Sequence, residues 1–337
     1  MLIKFTFFFG FLLYFCDFLV SECDMQCDTA MTPIHSCDVT PSEYFATGDG
    51  DFNVYFYLFT KANPTDPETL VDGDINSVRN SNFDSNNPTR IICHGWTDNN
   101  ESQLYIVLRD KYLSRGNFNI ITIDWGEAAD DPDYIIAATK AKYAGRKVAS
   151  MVKFLERNAS LDPNNTYLIG ASLGAQVAGF AGKDIQPRRI HTIFALDAAA
   201  SLFAYRNPRY RLARGDAHYV ESIHTSGLLL GIEHPVGDAS FYPHYGRMQP
   251  GCNDSTTFCD HSRAVYYFAE SLELPNKFYA IQCSTYDQII EKKCKWTGRV
   301  AYMGGDPSNY GRNIRGVYFL PVNEKYPYAV GKFSPAN

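Results

Sequence analysis

Along the chain, short and largely apolar runs alternate with longer segments in which apolar positions recur every three or four residues. The short runs are Arg90–Cys93, Asn119–Asp124, Thr166–Ile169, Thr192–Leu196 and Tyr219–His224, each bounded by turn residues. Such runs predict strands buried on both faces of a mostly parallel sheet. Between them, Asp133–Asn158 sets Ile135, Ala138, Ala141, Ala144, Val148, Met151, Val152 and Leu155 close to an i, i+3, i+4 stripe. A long amphipathic helix is expected there, opened by Asp131-Pro132-Asp133. Leu173–Gly182 is rich in small residues and reads as a helix lying close on a sheet; Ser262–Leu272 reads as another, ending before Pro275. Phe52–Thr60 reads as a strand, and Asn63–Thr89 as loop or edge structure. From Tyr279 on the chain is β-rich and ends in Gly316–Val322. The βαβ alternation argues for one α/β domain over residues 24–337, a mostly parallel central sheet with helices on both faces. The C-terminal part is too short for an added β-sandwich domain of about 100 residues.

The N-terminus follows a different rule. Lys4 precedes the apolar stretch Phe5–Phe15, which continues through Phe18, Leu19 and Val20 to the small Ser21. This is the grammar of a secretory signal peptide over residues 1–23, with extracellular release of the rest. A membrane anchor competes, but Asp17 leaves the run short for a span. Of 337 residues, 45% are apolar and 20% charged, with a formal net charge of −6, which excludes a disordered chain. An acidic chain without a basic block is also a poor partner for nucleic acid. Of nine cysteines, Cys16 leaves with the signal. The others, in an oxidising compartment, point to disulfides rather than zinc. The local pairs are Cys252–Cys259 and Cys283–Cys294, leaving Cys93 for an N-terminal cysteine such as Cys37. Sequons at Asn100, Asn158, Asn164 and Asn253 fit a secreted glycoprotein.

The chemistry centres on Ser172. Tyr167-Leu168-Ile169-Gly170-Ala171-Ser172-Leu173-Gly174 reads as strand, Gly-x-Ser-x-Gly, helix. A nucleophilic serine on such a turn needs glycines two positions either side, where side chains would collide. The helix beyond offers backbone N–H groups to an oxyanion. On this fold an acid and then a histidine follow the serine. Asp197 closes the apolar run Ile193–Leu196 and is the candidate acid. Five histidines come after it. His261, next to the Cys252–Cys259 loop and just before the third helix, is the candidate general base, and His224 at a strand end stays open beside it. His94-Gly95-Trp96 follows the Arg90–Cys93 strand and supplies the other half of an oxyanion hole, with the N–H groups of Trp96 and Leu173 as donors.

Taken in order, His94-Gly95-Trp96, Ile123-Asp124-Trp125, Gly170-Ala171-Ser172-Leu173-Gly174, Ala195-Leu196-Asp197, Ile223-His224-Thr225 and Cys259-Asp260-His261-Ser262-Arg263-Ala264 resemble the pancreatic-lipase-like family of secreted lipases and phospholipases A1. The resemblance implies an α/β-hydrolase fold without the digestive enzymes' C-terminal sandwich domain. It implies Ser172, Asp197 and His261 as nucleophile, acid and base, and His224 as a structural histidine. Two departures stand out: Ala171 replaces the usual histidine in the pentapeptide, and Ala198-Ala199-Ala200 replaces a Pro-Ala-Gly-like run. Some relatives bind calcium near Arg211–Asp216; here Ala213 stands where a carboxylate is expected and only Asp216 remains, so no metal and no cofactor is expected. The lid of the full lipases is long; here only Asn253-Asp254-Ser255-Thr256-Thr257-Phe258 separates two cysteines. A short lid resembles the phospholipase A1 branch. The expected function is therefore hydrolysis of the sn-1 ester of phospholipids at a membrane or lipid interface, by a monomer. The alternatives are a triacylglycerol lipase or general carboxylesterase, and a catalytically silent lipid-binding or yolk-type relative.

Overall fold

The computed structural model describes residues 51–187, 189–252 and 257–333, all within one compact unit, Tyr44–Asn337. In chain order the elements are β1 (Tyr55–Phe59), β2 (Glu68–Leu70), α1 (Ile75–Arg79), β3 (Thr89–Cys93), α2 (Gln103–Arg115), β4 (Asn119–Asp124), α3 (Gly126–Ala129), α4 (Tyr134–Ala159), β5 (Thr166–Ala171), α5 (Leu173–Ile185), β6 (Thr192–Leu196), β7 (Tyr219–Ile223), β8 (Ala239–Pro243), α6 (Thr257–Ser271), β9 (Tyr279–Cys283), α7 (Asp287–Ile290), β10 (Trp296–Tyr302) and β11 (Gly316–Leu320). The strands form one 11-stranded sheet in the order β10-β9-β11-β8-β7-β6-β5-β3-β4-β1-β2. From β11 to β4 every neighbouring pair is parallel; β10, β9, β1 and β2 close the two edges antiparallel.

The central strands are buried along their length, which is why they read as apolar runs without alternation. On one face Ile92, Ile169, Phe194 and Leu196 join Leu108 and Tyr112 of α2 and Tyr267 and Phe268 of α6 in a single core. On the other face α5 lies against β5, β6 and β3, with α4 packed on α5. The long helix α4 starts where Asp133 caps it: the carboxylate accepts the Ile135 N–H at 2.9 Å. The edge segment before β3 holds one short strand and one short helix, α1.

Cys252 is bonded to Cys259 and Cys283 to Cys294. Cys93 closes β3, fully buried, and has no disulfide partner among the described residues. Cys37, the partner expected for it, lies outside them. The N-terminal cysteines, the segment read as a signal peptide and Asn253 lie outside the described residues. Asn100, Asn158 and Asn164 are exposed. Among the described residues no helix is long and apolar enough to cross a membrane.

Candidate active site

Ser172 stands between β5 and α5 with φ 56° and ψ −123°, a conformation that L-residues avoid. The strain is held by the sheet: its N–H donates to Leu196 O at 3.0 Å, and its carbonyl accepts the Ala199 N–H at 3.1 Å. The small residues of the pentapeptide are explained by close approach. A methyl on Gly174 would run into the carbonyl oxygens of Cys93 and His94, so only glycine lets α5 start this near the end of β3. The same contact brings the loop after β3 over the serine. A Cβ on Gly95 would lie 3.1 Å from Ser172 Cβ and 3.7 Å from Ser172 Oγ.

That loop is locked from below. His94 is wholly buried and stacks on Trp125, ring centroids 5.5 Å apart. Its Nδ1 lies 2.8 Å from Gly95 O, and a carbonyl only accepts, so the proton sits on Nδ1. Nε2 is then free to accept the Trp125 N–H at 3.2 Å, while Trp125 Nε1 donates to His94 O at 3.0 Å. The two sequence motifs around His94 and Trp125 thus form one reciprocal clamp. Trp96 Nε1 donates to Asp131 O at 2.8 Å. Leu173 is the first residue of α5, where a helix has N–H groups with no carbonyl of its own to meet.

Asp197 follows β6 at φ 47° and is completely buried. One carboxylate oxygen accepts the N–H groups of Thr225 (2.7 Å) and Ser226 (3.1 Å). The other accepts the Ser226 hydroxyl and His261 Nδ1, the latter at 2.6 Å. Burial pushes the carboxyl's pKa up, but the His261 bond and charge, the Ser226 hydroxyl and the Thr225 N–H together hold it below the ordinary carboxylate value. Gly231 closes the cradle: a Cβ there would lie 2.5–2.7 Å from the carboxyl atoms. With its Nδ1–H donating to Asp197, His261 keeps the Nε2 lone pair available.

His261 does not precede the helix, as the sequence reading has it; α6 begins at Thr257 and His261 lies in its second turn. The disulfided segment runs straight into the helix, and Asp260 in the first turn accepts the Gln249 N–H at 2.5 Å. His224 lies elsewhere. Both ring nitrogens are engaged, with Ile232 O (2.7 Å) and Ser222 Oγ (2.8 Å), and the ring stacks on Tyr242. Burial pulls its pKa down to about 4. The sequence reading missed Ser226, although the motif Ile223-His224-Thr225 stops one residue short of it. A serine just past β7, beside the strand that Asp197 follows, was the available signal.

In the segment weighed for calcium, Asp216 meets Lys183 Nζ at 2.6 Å and the Ala213 N–H at 2.8 Å. Burial pushes Asp216 up to about 6 and pulls Lys183 down. The carboxylate therefore already has a cation from the chain itself. Among the described residues no group of three or more His, Cys, Asp or Glu side chains is placed to hold a metal ion.

The sequence model of the family described as Lipase matches residues 25–328. Pancreatic lipase-related protein 2 of Cavia porcellus is 30% identical over 272 residues, 79% of this chain and 60% of that protein. Hepatic triacylglycerol lipase of Oryctolagus cuniculus is 34% identical over 286 residues, 75% of this chain and 56% of that protein. The chain thus spans little more than half the length of these relatives. Among solved structures, a hydrolase of the alpha/beta superfamily from Xanthomonas campestris is a distant likeness, with 15% identity and a TM-score of 0.32 over 43% of this chain and 76% of that one.

Proposed function

The chain belongs to the lipase family, and from that membership we propose that it is a secreted hydrolase of lipid acyl esters, acting as a phospholipase A1 on the sn-1 ester. The observation that carries the hydrolase reading is the Asp197–His261 bond at 2.6 Å, set beside a serine held at φ 56° under the Gly95 loop. In this reading Ser172 Oγ attacks the ester carbonyl while His261 Nε2 takes its proton. The backbone N–H groups of Leu173 and Trp96 receive the oxyanion. His261 returns the proton to the leaving lysolipid oxygen, and water, deprotonated by the same imidazole, releases the fatty acid from Ser172. Asp197 stays ionised and fixes the ring.

The choice of phospholipid rests on the lid. Cys252 and Cys259 are bonded with Cα atoms 5.6 Å apart, and α6 already begins at Thr257. Even a three-turn amphipathic helix needs about eleven residues, more than the bridge encloses. A mouth without a broad apolar lid leaves a charged headgroup in water, where it keeps its solvation. The second reading, a triacylglycerol lipase, is favoured by the hepatic and pancreatic triacylglycerol lipases among the relatives. Fatty-acid release from phosphatidylcholine and from triolein, measured side by side, separates the two. Faster release from phosphatidylcholine is expected, and the reverse ranking gives the site to triacylglycerol. Ser172→Ala should lower either rate by about 10⁶; a folded variant that still turns over removes Ser172 as nucleophile.

A further inference from the structure

The acid and the base of the candidate site come from different parts of the fold: Asp197 follows β6 and His261 rides on α6. Something must hold the loop that cradles the acid at a fixed distance from the helix that carries the base. One side chain touches both. Gln249 is 3% exposed, in the segment between β8 and the Cys252–Cys259 bridge. Its amide nitrogen donates to Thr225 O at 3.1 Å and to Pro243 O at 3.0 Å. Thr225 is the residue whose own N–H holds Asp197 at 2.7 Å. The amide oxygen of Gln249 accepts the Tyr267 hydroxyl of α6 at 3.2 Å. Its backbone N–H reaches Asp260, the residue before His261, at 2.5 Å, and its backbone carbonyl accepts the Cys252 N–H at 3.1 Å.

Both amide N–H donors of this side chain are used, and its amide oxygen has a partner. The backbone leading to it is preset as well. His244, Tyr245 and Gly246 have φ of 45°, 67° and 74°, three left-handed residues in succession. Non-glycine residues in that region are strained and persist only where the surroundings over-determine them. A strained turn thus delivers a buried amide to the one place where it joins the Asp197 cradle to the His261 helix.

We infer that Gln249 is a positioning residue, a strut that sets the distance between the acid loop and the base helix. The inference rests on reading Ser172, Asp197 and His261 as the reacting groups. It acts through Thr225 on Asp197 and through Asp260 and Tyr267 on His261, and touches no substrate. Gln249→Leu keeps a branched side chain of comparable bulk, one atom shorter, and removes all three of its hydrogen bonds.

The test compares wild type, Gln249→Leu and Tyr267→Phe on p-nitrophenyl butyrate, a soluble ester that needs no interface. Active sites are counted with a serine-reactive phosphonate, and the low-field proton resonance of the Asp197–His261 bond is followed by NMR. A reacting pair displaced by the order of 1 Å loses about 100-fold in rate. Gln249→Leu should therefore lose about that much in kcat, with KM within about two-fold of wild type. The phosphonate should still titrate all folded sites, only slowly, and the low-field resonance should be lost or moved. Tyr267→Phe should lose about 10-fold, and it decides the question on the same readings should Gln249→Leu not accumulate folded. A kcat that falls only in proportion to the titrated sites, with the resonance unmoved, overturns the inference and leaves Gln249 a packing residue. The resonance reads the strut without turnover. Its loss in an otherwise inert protein supports the strut and fails the hydrolase reading instead.

Discussion

Ser226 shows how much a single hydroxyl can decide at the residue scale. It donates to the Asp197 oxygen that also receives His261 Nδ1, and it lies 3.3 Å from that nitrogen. A hydrogen bond to a buried charge is worth about 1.5–3 kcal/mol, and here the charge has no water to fall back on. Asp197 titrates below the ordinary carboxylate value despite its burial. A carboxyl depressed in the folded state contributes stability above its unfolded pKa and loses it as pH falls through the folded value. Ser226→Ala removes one cause of the depression, so the folded pKa rises towards the unfolded one. The acid-unfolding midpoint, followed by circular dichroism, should move to higher pH, with a stability loss of about 2 kcal/mol near neutrality. An unchanged midpoint would mean that His261 and the two backbone N–H groups hold the carboxylate without the Ser226 hydroxyl. Ser172, Asp197 and His261 could be singled out in the sequence because the roles proposed for them demand a fixed residue type next to a strand end or turn. Ser226 and Gln249 were not, because a positioning group is defined by partners far along the chain.

Elements were legible to the extent that their burial was uniform. Asn119–Asp124 and Thr192–Leu196 appear with the predicted bounds because both faces of those strands are covered. Helix α2 was passed over: Leu104, Tyr105, Leu108, Tyr112 and Leu113 do form its buried face, but charged residues interrupt them and blur the stripe. Strand β8, Ala239–Pro243, was passed over because a serine and a terminal proline hide a strand that is buried throughout. The start of α6 was misplaced because a disulfided segment reads as loop, yet the helix begins inside it. The junction of β3, β5 and α5 gives an element-scale prediction. Gly174→Ala places a methyl against two backbone carbonyls, which cannot rotate away as a side chain could. The variant should lose about 2–4 kcal/mol, in the range set by overpacking, and with it the seating of the His94-Gly95-Trp96 loop over Ser172. Gly116→Ala is the control. Gly116 has extended backbone at φ 175°, and a Cβ would make only an ordinary contact, 3.5 Å from Phe118. Its denaturation midpoint should stay at the wild-type value; equal losses in both variants would deny the junction any special closeness.

On the scale of the whole molecule, the segment around residues 303–312 is tied back onto the sheet by two buried ionisable side chains. Arg90 at the start of β3 meets Asp306 at 2.6 Å, its guanidinium lying over the Tyr167 ring. Glu221, wholly buried in β7, accepts the Gly304 N–H at 2.6 Å, the Asn309 amide at 3.0 Å and the Tyr219 hydroxyl at 3.1 Å. Burial pushes the Glu221 carboxyl up to about 7, and these donors only partly offset it. A group whose folded pKa is raised contributes stability that is full below its unfolded pKa and is lost as pH rises through the folded one. For Glu221 that window runs from the ordinary glutamate range up through about pH 7, and the difference amounts to about 3 kcal/mol at most. Asp216 titrates in an overlapping window and His224 in the opposite sense, so the wild-type profile alone does not isolate Glu221. Comparison with Glu221→Gln does, because the other groups are common to both proteins. The neutral amide still accepts the Gly304 N–H but turns its own donor towards Asn309, so the variant should be the less stable protein at pH 5. As pH rises to 8 the wild type alone has a carboxyl at position 221 to ionise, and the gap in thermal midpoint should narrow or reverse. A gap that stays constant across this range would show that Glu221 is already ionised at pH 5, with its donors outweighing its burial.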